Sequence, residues 1–199
     1  VQKLAFEVAL RINRATPITP ISLVTLVLLG AGDRALTVSE TLDSLGHFLD
    51  YVHDHGLPVT DQLSLDTPEQ VEGALEALRE HGVVSRFDGG PETVYSIEPD
   101  QHLAAAYYRN TIIHFFVTGA ITELALLGAA HSEGDPVEAF WEEALSLRDL
   151  LKFEFFFPEK DEFRSEIEGE LSYRREDWEE ALAGGHDRVL DLVRSFHPY

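Results

Sequence analysis

The chain has 199 residues, 44% of them hydrophobic, and a formal net charge of −21 at pH 7. This composition excludes a wholly disordered chain, and the absence of cysteine excludes disulfides, thiolate nucleophiles and cysteine-ligated metals. Nucleic-acid binders gain affinity by neutralising phosphates, so 15 basic residues against 36 acids argue against DNA or RNA as a partner, and an anionic membrane surface would repel most of the chain.

The first predicted helix covers Val1–Asn13, where four apolar residues share one face. These residues are Leu4, Ala5, Val8 and Ile12. Two Thr-Pro pairs at positions 16–17 and 19–20 then interrupt the helix, because a residue before proline is pushed out of the α region. The uniformly apolar run Ile21–Leu29 follows, and it predicts a short buried helix that is too short to cross a bilayer.

Two further helix starts carry a capping box. Thr37 is followed three residues later by Glu40, and we expect the helix that begins there to end at Gly56. Thr67 and Gln70 repeat the signal, with a proline at the first helical position. The pattern predicts two capped helices joined by a polar loop.

A β-hairpin is predicted by the alternating runs Val83–Phe87 and Thr93–Ile97, which flank a turn sequence at 88–91. Three helices followed by a hairpin is the order of a winged-helix module, which we place at residues 17–98. Such modules often hold DNA with the third helix. Here that helix carries mainly carboxylates, so we expect the module to serve packing or protein contact. The acids are Glu69, Glu72, Glu76 and Glu80.

The stretch Gln101–His131 is the longest run without proline or a strong helix breaker, and it predicts one long helix, apolar on almost every face and therefore buried. Its polar residues recur every fourth position and would form one narrow stripe. They are Asn110, His114, Thr118 and Thr122. Internally satisfied hydrogen bonds are the favoured interpretation of this stripe, and a ligand or catalytic site is the alternative.

Another helix is predicted over Val137–Phe157, ending at Pro158. We expect the run Phe155-Phe156-Phe157 to lie in the core; its alternative role is a docking face for a missing domain or a lipid headgroup layer. Between positions 132 and 180, acids outnumber basic residues by 17 to 6. Solvated helix faces account for most of them, and the ligand spacing of a hard-cation loop is missing. A last helical segment covers 176–196, interrupted at positions 184–185.

Motifs for nucleotide, serine-nucleophile or zinc chemistry are absent from the sequence, so no cofactor or metal is expected. His53-Asp54-His55 is the most tempting zinc candidate. Adjacent residues on a helix point apart, and zinc prefers other spacings, so we interpret the trio as an exposed polar helix end.

The octet Tyr107–His114, its apolar continuation and the later run Leu150–Phe156 resemble the C-terminal region of the bacterial membrane-bound glycerol-3-phosphate 1-O-acyltransferases. Leu4–Leu29 is similar to the segment that follows the acyltransferase domain, especially in mycobacterial members. The resemblance covers about Lys3–Ser165. It implies a parent enzyme that transfers a fatty acyl group from acyl-CoA or acyl-carrier protein to glycerol 3-phosphate.

In that family a histidine, with an aspartate five residues on, acts as the general base, and basic motifs downstream hold the phosphate. The resemblance places these blocks upstream of the matching region. His186 and Asp191 reproduce the spacing, but they lie in an apolar-periodic helix, and only eight residues follow Asp191. The family's phosphate-binding blocks cannot fit into those eight residues, so no catalytic residue is assigned. Four residues match the family signature without a known role, and we favour helix packing or contact with the catalytic domain. They are Tyr108, Arg109, Asn110 and His114.

The predicted fold is therefore mainly α: a helical bundle with a winged-helix-like module packed on a long buried helix. Residues 1–16 form a connecting helix from a missing catalytic domain, 17–98 the module, and 99–199 a helical region that continues beyond the chain. Methionine is absent even from the first position, which indicates a piece of a longer protein.

The predicted function is that of a non-catalytic, structural or regulatory C-terminal region of the acyltransferase, inactive in acyl transfer by itself. Its expected partner is its own upstream domain, through which it meets acyl-CoA or acyl-carrier protein, glycerol 3-phosphate and the cytoplasmic face of the cell membrane. Nucleic acid is not an expected partner. The alternative is an acidic winged-helix adaptor that binds another protein and has no enzymatic activity.

Overall fold

The computed structural model describes residues 2–196, and these are mainly helical, as predicted. They belong to two compact units, Val1–Phe115 and Phe116–Tyr199. Position 1 of the first predicted helix and positions 197–199 of the predicted helical region 99–199 lie outside the described residues.

The first unit contains five α-helices, three short strands and one 3-10 turn among its described residues. The helices are α1 (Gln2–Ala15), α2 (Pro20–Gly30), α3 (Val38–Asp54), α4 (Pro68–Glu80) and α5 (His102–Asn110). The strands are β1 (Leu36–Thr37), β2 (Ser85–Phe87) and β3 (Val94–Ser96), and the 3-10 turn is Ile113–Phe115.

Both capped helix starts are confirmed. The Thr37 side chain accepts a hydrogen bond from the Glu40 N–H at 3.1 Å, and the Glu40 carboxylate accepts one from the Thr37 N–H at 2.8 Å. The second bond lowers the pKa of Glu40, since it stabilises the charged form. At the start of α4, the Thr67 N–H donates to the Gln70 amide oxygen at 3.1 Å.

The predicted hairpin is also confirmed, and a third strand joins it. The antiparallel sheet has the order β1-β3-β2, with Leu36 opposite Tyr95 and Ser85 opposite Ser96. Leu36 and Tyr95 are both buried, so the side chains of this cross-strand pair face the core. The short strand β1 leads directly into α3 and places the N-cap of that helix on the sheet.

The core of the first unit surrounds α2, which packs against α3, α4 and α5. The predicted short buried helix is therefore confirmed. Its apolar side chains meet those of the neighbouring helices and of the sheet. The buried set includes Leu23, Val24, Val27, Leu28, Leu45, Val71, Leu75, Leu78, Tyr95 and Ile112. Burying one such side chain stabilises the fold by about 1.5–3 kcal/mol relative to leaving it in water.

The prediction of one continuous helix over Gln101–His131 is wrong, because α5 ends at Asn110 and the next α-helix begins at Val117. The intervening residues are mostly β-branched or aromatic, and such residues lose side-chain freedom in a helix. The Thr111 hydroxyl donates to the Tyr108 carbonyl at 2.7 Å, and the chain tightens into the 3-10 turn. The four-residue polar stripe is therefore broken between His114 and position 118.

Burial within this stretch also differs from the prediction. Leu103 and Tyr107 on α5 are 85% and 71% exposed, and Leu124 is 51% exposed, whereas Ile112 and Ile121 are buried. Several of the apolar side chains between Gln101 and His131 therefore lie outside the core. An even spread of apolar residues around a helix predicted burial on all sides, but each helix buries only the face its neighbours cover.

The second unit is all helical in its described part. Its helices are α6 (Val117–His131), α7 (Pro136–Leu151), α8 (Lys160–Arg174), α9 (Trp178–Ala183) and α10 (His186–Phe196). Helix α6 lies at the centre and packs against α7, α8 and α10. Its buried alanines, Ala125 and Ala129, allow close approach of these helices. Within residues 2–196, no helix combines the length and apolar character needed to span a bilayer.

The predicted helix over Val137–Phe157 ends earlier, at Leu151. The N–H groups of Glu154 and Phe155 both donate to the Leu151 carbonyl, at 2.9 and 3.0 Å, and the chain leaves the helix there. The aromatic run is not a core segment as a whole. Phe156 is 42% exposed, while Phe157 is half-buried with its ring 5.4 Å from that of the buried Phe163.

Helix α8 was not predicted, because charged residues dominate its sequence. Its buried residues Phe163, Ile167 and Leu171 nevertheless recur every fourth position, which is the signal that identifies it. The predicted interruption at positions 184–185 is confirmed between α9 and α10, where Gly185 has a φ of +91°. Glycine fits there because other residues are strained at such angles.

Candidate functional site

The four signature residues lie close together in sequence at the end of the first unit. Tyr108, Arg109 and Asn110 form the last turn of α5, and His114 lies in the 3-10 turn that follows. The break after Asn110 separates His114 from the helix that carries the other three. The group is therefore a helix end with its connecting turn.

Arg109 and Asn110 bind each other. The Arg109 guanidinium donates from Nε and Nη2 to the Asn110 amide oxygen, at 3.1 and 2.9 Å. The Asn110 side chain is exposed and that of Arg109 is half-buried. The positive charge lies at the C-terminal end of α5, where the helix dipole favours a cation.

His114 is bound to the first helix of the unit. Its Nε2 lies 2.8 Å from the Asn13 carbonyl oxygen, 101 residues earlier in the chain, so Nε2 carries the proton and donates. Burial lowers the pKa of His114, and the bond to the carbonyl only partly opposes that shift. The imidazole is therefore neutral at pH 7, and it supplies a donor to a carbonyl near the end of α1.

The 3-10 turn is also bound from the side of α3. The hydroxyl of buried Tyr51 donates to the Phe115 carbonyl at 3.4 Å, and the Tyr51 ring stacks on His55 with centroids 3.9 Å apart. His114 itself lies against the Phe115 ring at 4.1 Å. The turn is thus held between α1 and α3.

The chemistry available to His114 follows from these contacts. A general base needs a free ring nitrogen aimed at the substrate and a group that orients the ring. Here one nitrogen donates to the Asn13 backbone, and no carboxylate is among the hydrogen-bond partners of His114 in the described part of the chain. The arrangement joins the 3-10 turn to α1.

His186 and Asp191, which reproduce the H-x4-D spacing, do not bind each other; each has a different partner. The Nε2 of His186 lies 2.5 Å from the Ser132 carbonyl oxygen, and the Asp191 carboxylate accepts from Arg194 at 2.9 Å. His186 therefore joins the start of α10 to the end of α6, and Asp191 is part of an ion pair within its own helix.

Comparison with known proteins decides the family. The family described as "Glycerol-3-phosphate acyltransferase C-terminal region" matches residues 1–188 of the 199-residue chain. The chain belongs to this family. The resemblance read from the octet at Tyr107–His114 is therefore confirmed.

Two named relatives agree with this assignment. The chain is 43% identical to the acyltransferase called plsB1 of Mycobacterium bovis over 174 residues, which cover 86% of the chain and 28% of that protein. It is 29% identical to the glycerol-3-phosphate acyltransferase of Alteromonas mediterranea over 159 residues, which cover 78% of the chain and 18% of that protein. The chain therefore spans less than a third of the length of these curated relatives.

In this glycerol-3-phosphate acyltransferase C-terminal region, a hydrogen-bond network around Glu76 joins α4 to the hairpin. One oxygen of Glu76 accepts from the Tyr95 hydroxyl at 2.8 Å and from Arg86 at 2.9 Å, and the other accepts from Arg79 at 2.6 Å. These bonds lower the pKa of Glu76, while burial and the neighbouring carboxylate raise the pKa of Tyr95 to about 12. Only the Glu76–Arg79 spacing was visible in the sequence.

An open recess of about 510 Å³ lies beside the hairpin, lined by Thr37, the turn 86–92 and Val94. Its cation, Arg86, is bound to Glu76 and to Asp88, at 2.9 Å in both cases. Within residues 2–196, no cluster of three or more histidine, aspartate or glutamate side chains could hold a metal ion.

Proposed function

We propose that this chain is the non-catalytic C-terminal region of a glycerol-3-phosphate 1-O-acyltransferase, where it orders or regulates the catalytic domain. The parent transfers a fatty acyl group from acyl-CoA or acyl-carrier protein to the sn-1 hydroxyl of glycerol 3-phosphate, as a step of phospholipid synthesis. The family match over residues 1–188 supports the parent. The hydrogen bond from His114 to the Asn13 backbone is the observation that carries the non-catalytic role.

Under this proposal, the signature residues Tyr108, Arg109, Asn110 and His114 maintain the junction between α1, α3 and α5. His114 and Tyr51 bind the junction from two sides, and Arg109 and Asn110 stabilise the end of α5. A family signature of this kind preserves the position of α1. Helix α1 connects the region to the acyltransferase domain that precedes it in the parent.

Residues 17–98 act as a winged-helix-like packing module in this proposal. The order of three helices and a hairpin supports it, together with the strand order β1-β3-β2. Arg79 and Arg86, the cations of the third helix and hairpin, are neutralised by Glu76 and Asp88. Cations engaged in this way are poor phosphate contacts, so we propose a protein surface as the partner of the module.

The parent binds the cytoplasmic face of the cell membrane through another part of the polypeptide. The formal charge of −21 supports membrane binding by a part of the parent other than this chain, because anionic lipids repel an acidic surface. Residues 99–199 complete the region as a helical scaffold in this proposal.

The test is an acyl-transfer assay with radiolabelled glycerol 3-phosphate and a long-chain acyl-CoA. The 199-residue chain should give no product above the blank, whereas the full reading frame should give turnover that is lost when the histidine of its H-x4-D block is replaced by alanine. Measurable turnover from the chain alone, reduced in His114→Ala or His186→Ala but not in exposed His131→Ala, would overturn the non-catalytic role.

The alternative is an acidic adaptor that binds another protein. The exposed Leu103 and Tyr107 on α5 favour it, since two large apolar side chains one helical turn apart form a contact surface. The two functions differ in what precedes the chain: an adaptor would lack an H-x4-D block upstream and would show no acyl transfer in any longer form.

A further inference from the structure

Helix α1 presents an apolar stripe to solvent. Leu4, Val8 and Ile12 recur every fourth residue and are 69%, 48% and 61% exposed. The helix faces its own unit with another side, since Ala9 and Leu10 are half-buried and the Asn13 carbonyl is bound by His114. The first unit therefore positions this helix but leaves its apolar stripe uncovered.

An amphipathic helix normally buries its apolar face, because propensity alone seldom stabilises so short a helix in water. Helix α1 has 14 residues. The bond to His114 fixes one end only. A partner that covers the exposed stripe would therefore stabilise α1.

The charge of α1 differs from that of the rest of the chain. The helix contains three of the 15 basic residues, Lys3, Arg11 and Arg14, but only one of the 36 acids, Glu7. On a helical projection, Arg11 borders the stripe on the side of Leu4. The Arg11 guanidinium donates to the Glu7 carboxylate of the same helix at 2.8 Å, so the charge argument rests on the excess of basic residues in α1 and on the exposed Arg14. This excess favours a partner with an apolar contact area edged by carboxylates.

The relatives indicate which partner this is. The chain matches 28% and 18% of their lengths, and the family is described as a C-terminal region, so the bulk of such a polypeptide precedes the match. Helix α1 is the first described element and lies next to that part along the chain. A covalently linked partner has a high effective concentration, so a stripe of three side chains suffices to dock it.

We propose that the stripe Leu4-Val8-Ile12 docks α1 against the acyltransferase domain that precedes it in the parent polypeptide. The inference rests on the proposed function and names the surface involved. A second copy of the chain is a poorer occupant, because a stable dimer buries about 800 Å² on each partner, which is more than a stripe of three side chains provides. An anionic membrane is also poorer, because the acidic remainder of the chain is repelled from it.

The experiment compares hydrogen exchange of the α1 amides in the 199-residue chain and in the full-length parent. Docking should slow exchange in the parent by at least about tenfold, the factor expected from burying one Val-sized side chain. Val8→Asp should remove this extra protection. Its matched control is Val59→Asp, which replaces the same residue type at 46% exposure in the segment between α3 and α4, where Val59 forms a β-bridge with Ile18, and it should leave the protection unchanged.

A milder pair, Val8→Ser and Val59→Ser, serves if an aspartate variant of the parent fails to fold. Equal protection of α1 in chain and parent overturns the proposal, as does an equal effect of substitutions at positions 8 and 59. It is likewise overturned if Val8→Ser leaves protection in the parent unchanged but weakens cosedimentation of the chain with phosphatidylglycerol–phosphatidylcholine vesicles, or converts a dimer of the chain to monomers.

Acyl transfer by the parent is measured on the same samples. Turnover with unchanged α1 protection overturns the docking surface and leaves the proposed function standing. Absence of turnover from the full reading frame overturns the proposed function whatever the exchange of α1 shows.

Discussion

Helices α1 and α2 are neighbours along the chain, and both carry leucine and valine, yet their environments are opposite. Leu23 of α2 is fully buried, whereas Leu4 of α1 is 69% exposed. Helix α2 has no polar face, so only a position surrounded by other helices satisfies it. Helix α1 has both a polar and an apolar face, and its apolar face is satisfied by any partner. The difference shows what apolar periodicity can predict. It identifies the helix face that needs a covering partner, but it does not say whether that partner lies in the same unit.

The largest expected effect is that of truncating equivalent leucines in the two helices. Leu23→Ala should lower the free energy of unfolding by about 2–5 kcal/mol, since it leaves a cavity in the core, while Leu4→Ala in the same chain should change it by less than about 0.5 kcal/mol. Urea denaturation of the two variants measures both. Equal losses would mean that α1 is buried against its own unit, and would end the distinction between the two helices.

The next effect concerns α4, one of the helices packed around α2. Glu76→Gln removes the charge that binds α4 to the hairpin through Tyr95 and Arg86, and we expect a loss of about 1.5–3 kcal/mol in the free energy of unfolding. The pKa of Tyr95 should fall from about 12 but stay above 10.0, because burial, the larger cause of the shift, remains while the carboxylate no longer opposes the phenolate. Ultraviolet titration measures this shift.

Glu80→Gln is the matched control for that substitution, since Glu80 lies one turn later on α4 and is exposed. It should leave both the stability and the tyrosine titration close to those of the unaltered chain. A Tyr95 pKa that stays near 12 in Glu76→Gln would show that burial alone sets it.

The smallest effect concerns the hydrogen bond that holds α1. Burial lowers the pKa of His114 in the folded state, so its contribution to stability is complete above the unfolded pKa of about 6.5 and is lost as the pH falls towards the folded pKa. The unaltered chain should therefore lose more stability than His114→Gln between pH 7.5 and 5.5. The glutamine amide still offers a donor to Asn13 and does not titrate.

Thermal unfolding across that pH range measures the difference, with His102→Gln on the exposed start of α5 as the control. The unaltered chain and His102→Gln should show the same pH dependence. If His114→Gln also follows them, the bond to Asn13 does not depend on a neutral imidazole, and α1 is held in some other way.

The elements whose signals lie within a few residues could be predicted from the sequence. Thr37 with Glu40 and Thr67 with Gln70 begin helices because the capping groups are three residues apart, so the bonds form in any context that allows a helix. The hairpin follows from a turn sequence between two alternating runs. The family was recognisable from the octet at Tyr107–His114 for a similar reason, since it is a contiguous pattern.

Features that depend on distant partners could not be predicted. The break after Asn110 depends on whether a buried helix continues or turns back on its neighbours, and the sequence of the stretch permits both. Phe153 is 86% exposed although five of its neighbours between positions 150 and 157 are apolar or aromatic. The partner of His114 is 101 residues away, so no local pattern shows that its nitrogen is bound to a backbone carbonyl.

The sequence by itself determined the helical class, the capped starts, the hairpin and the glycerol-3-phosphate acyltransferase family, because each rests on residue spacings within one segment. Only the tertiary structure decided which apolar faces are covered, where the long apolar stretch breaks, and that Glu76 and His114 bind groups on other elements. Burial and long-range hydrogen bonds are properties of pairs of segments, and their free energies exist only once the chain has brought those segments together.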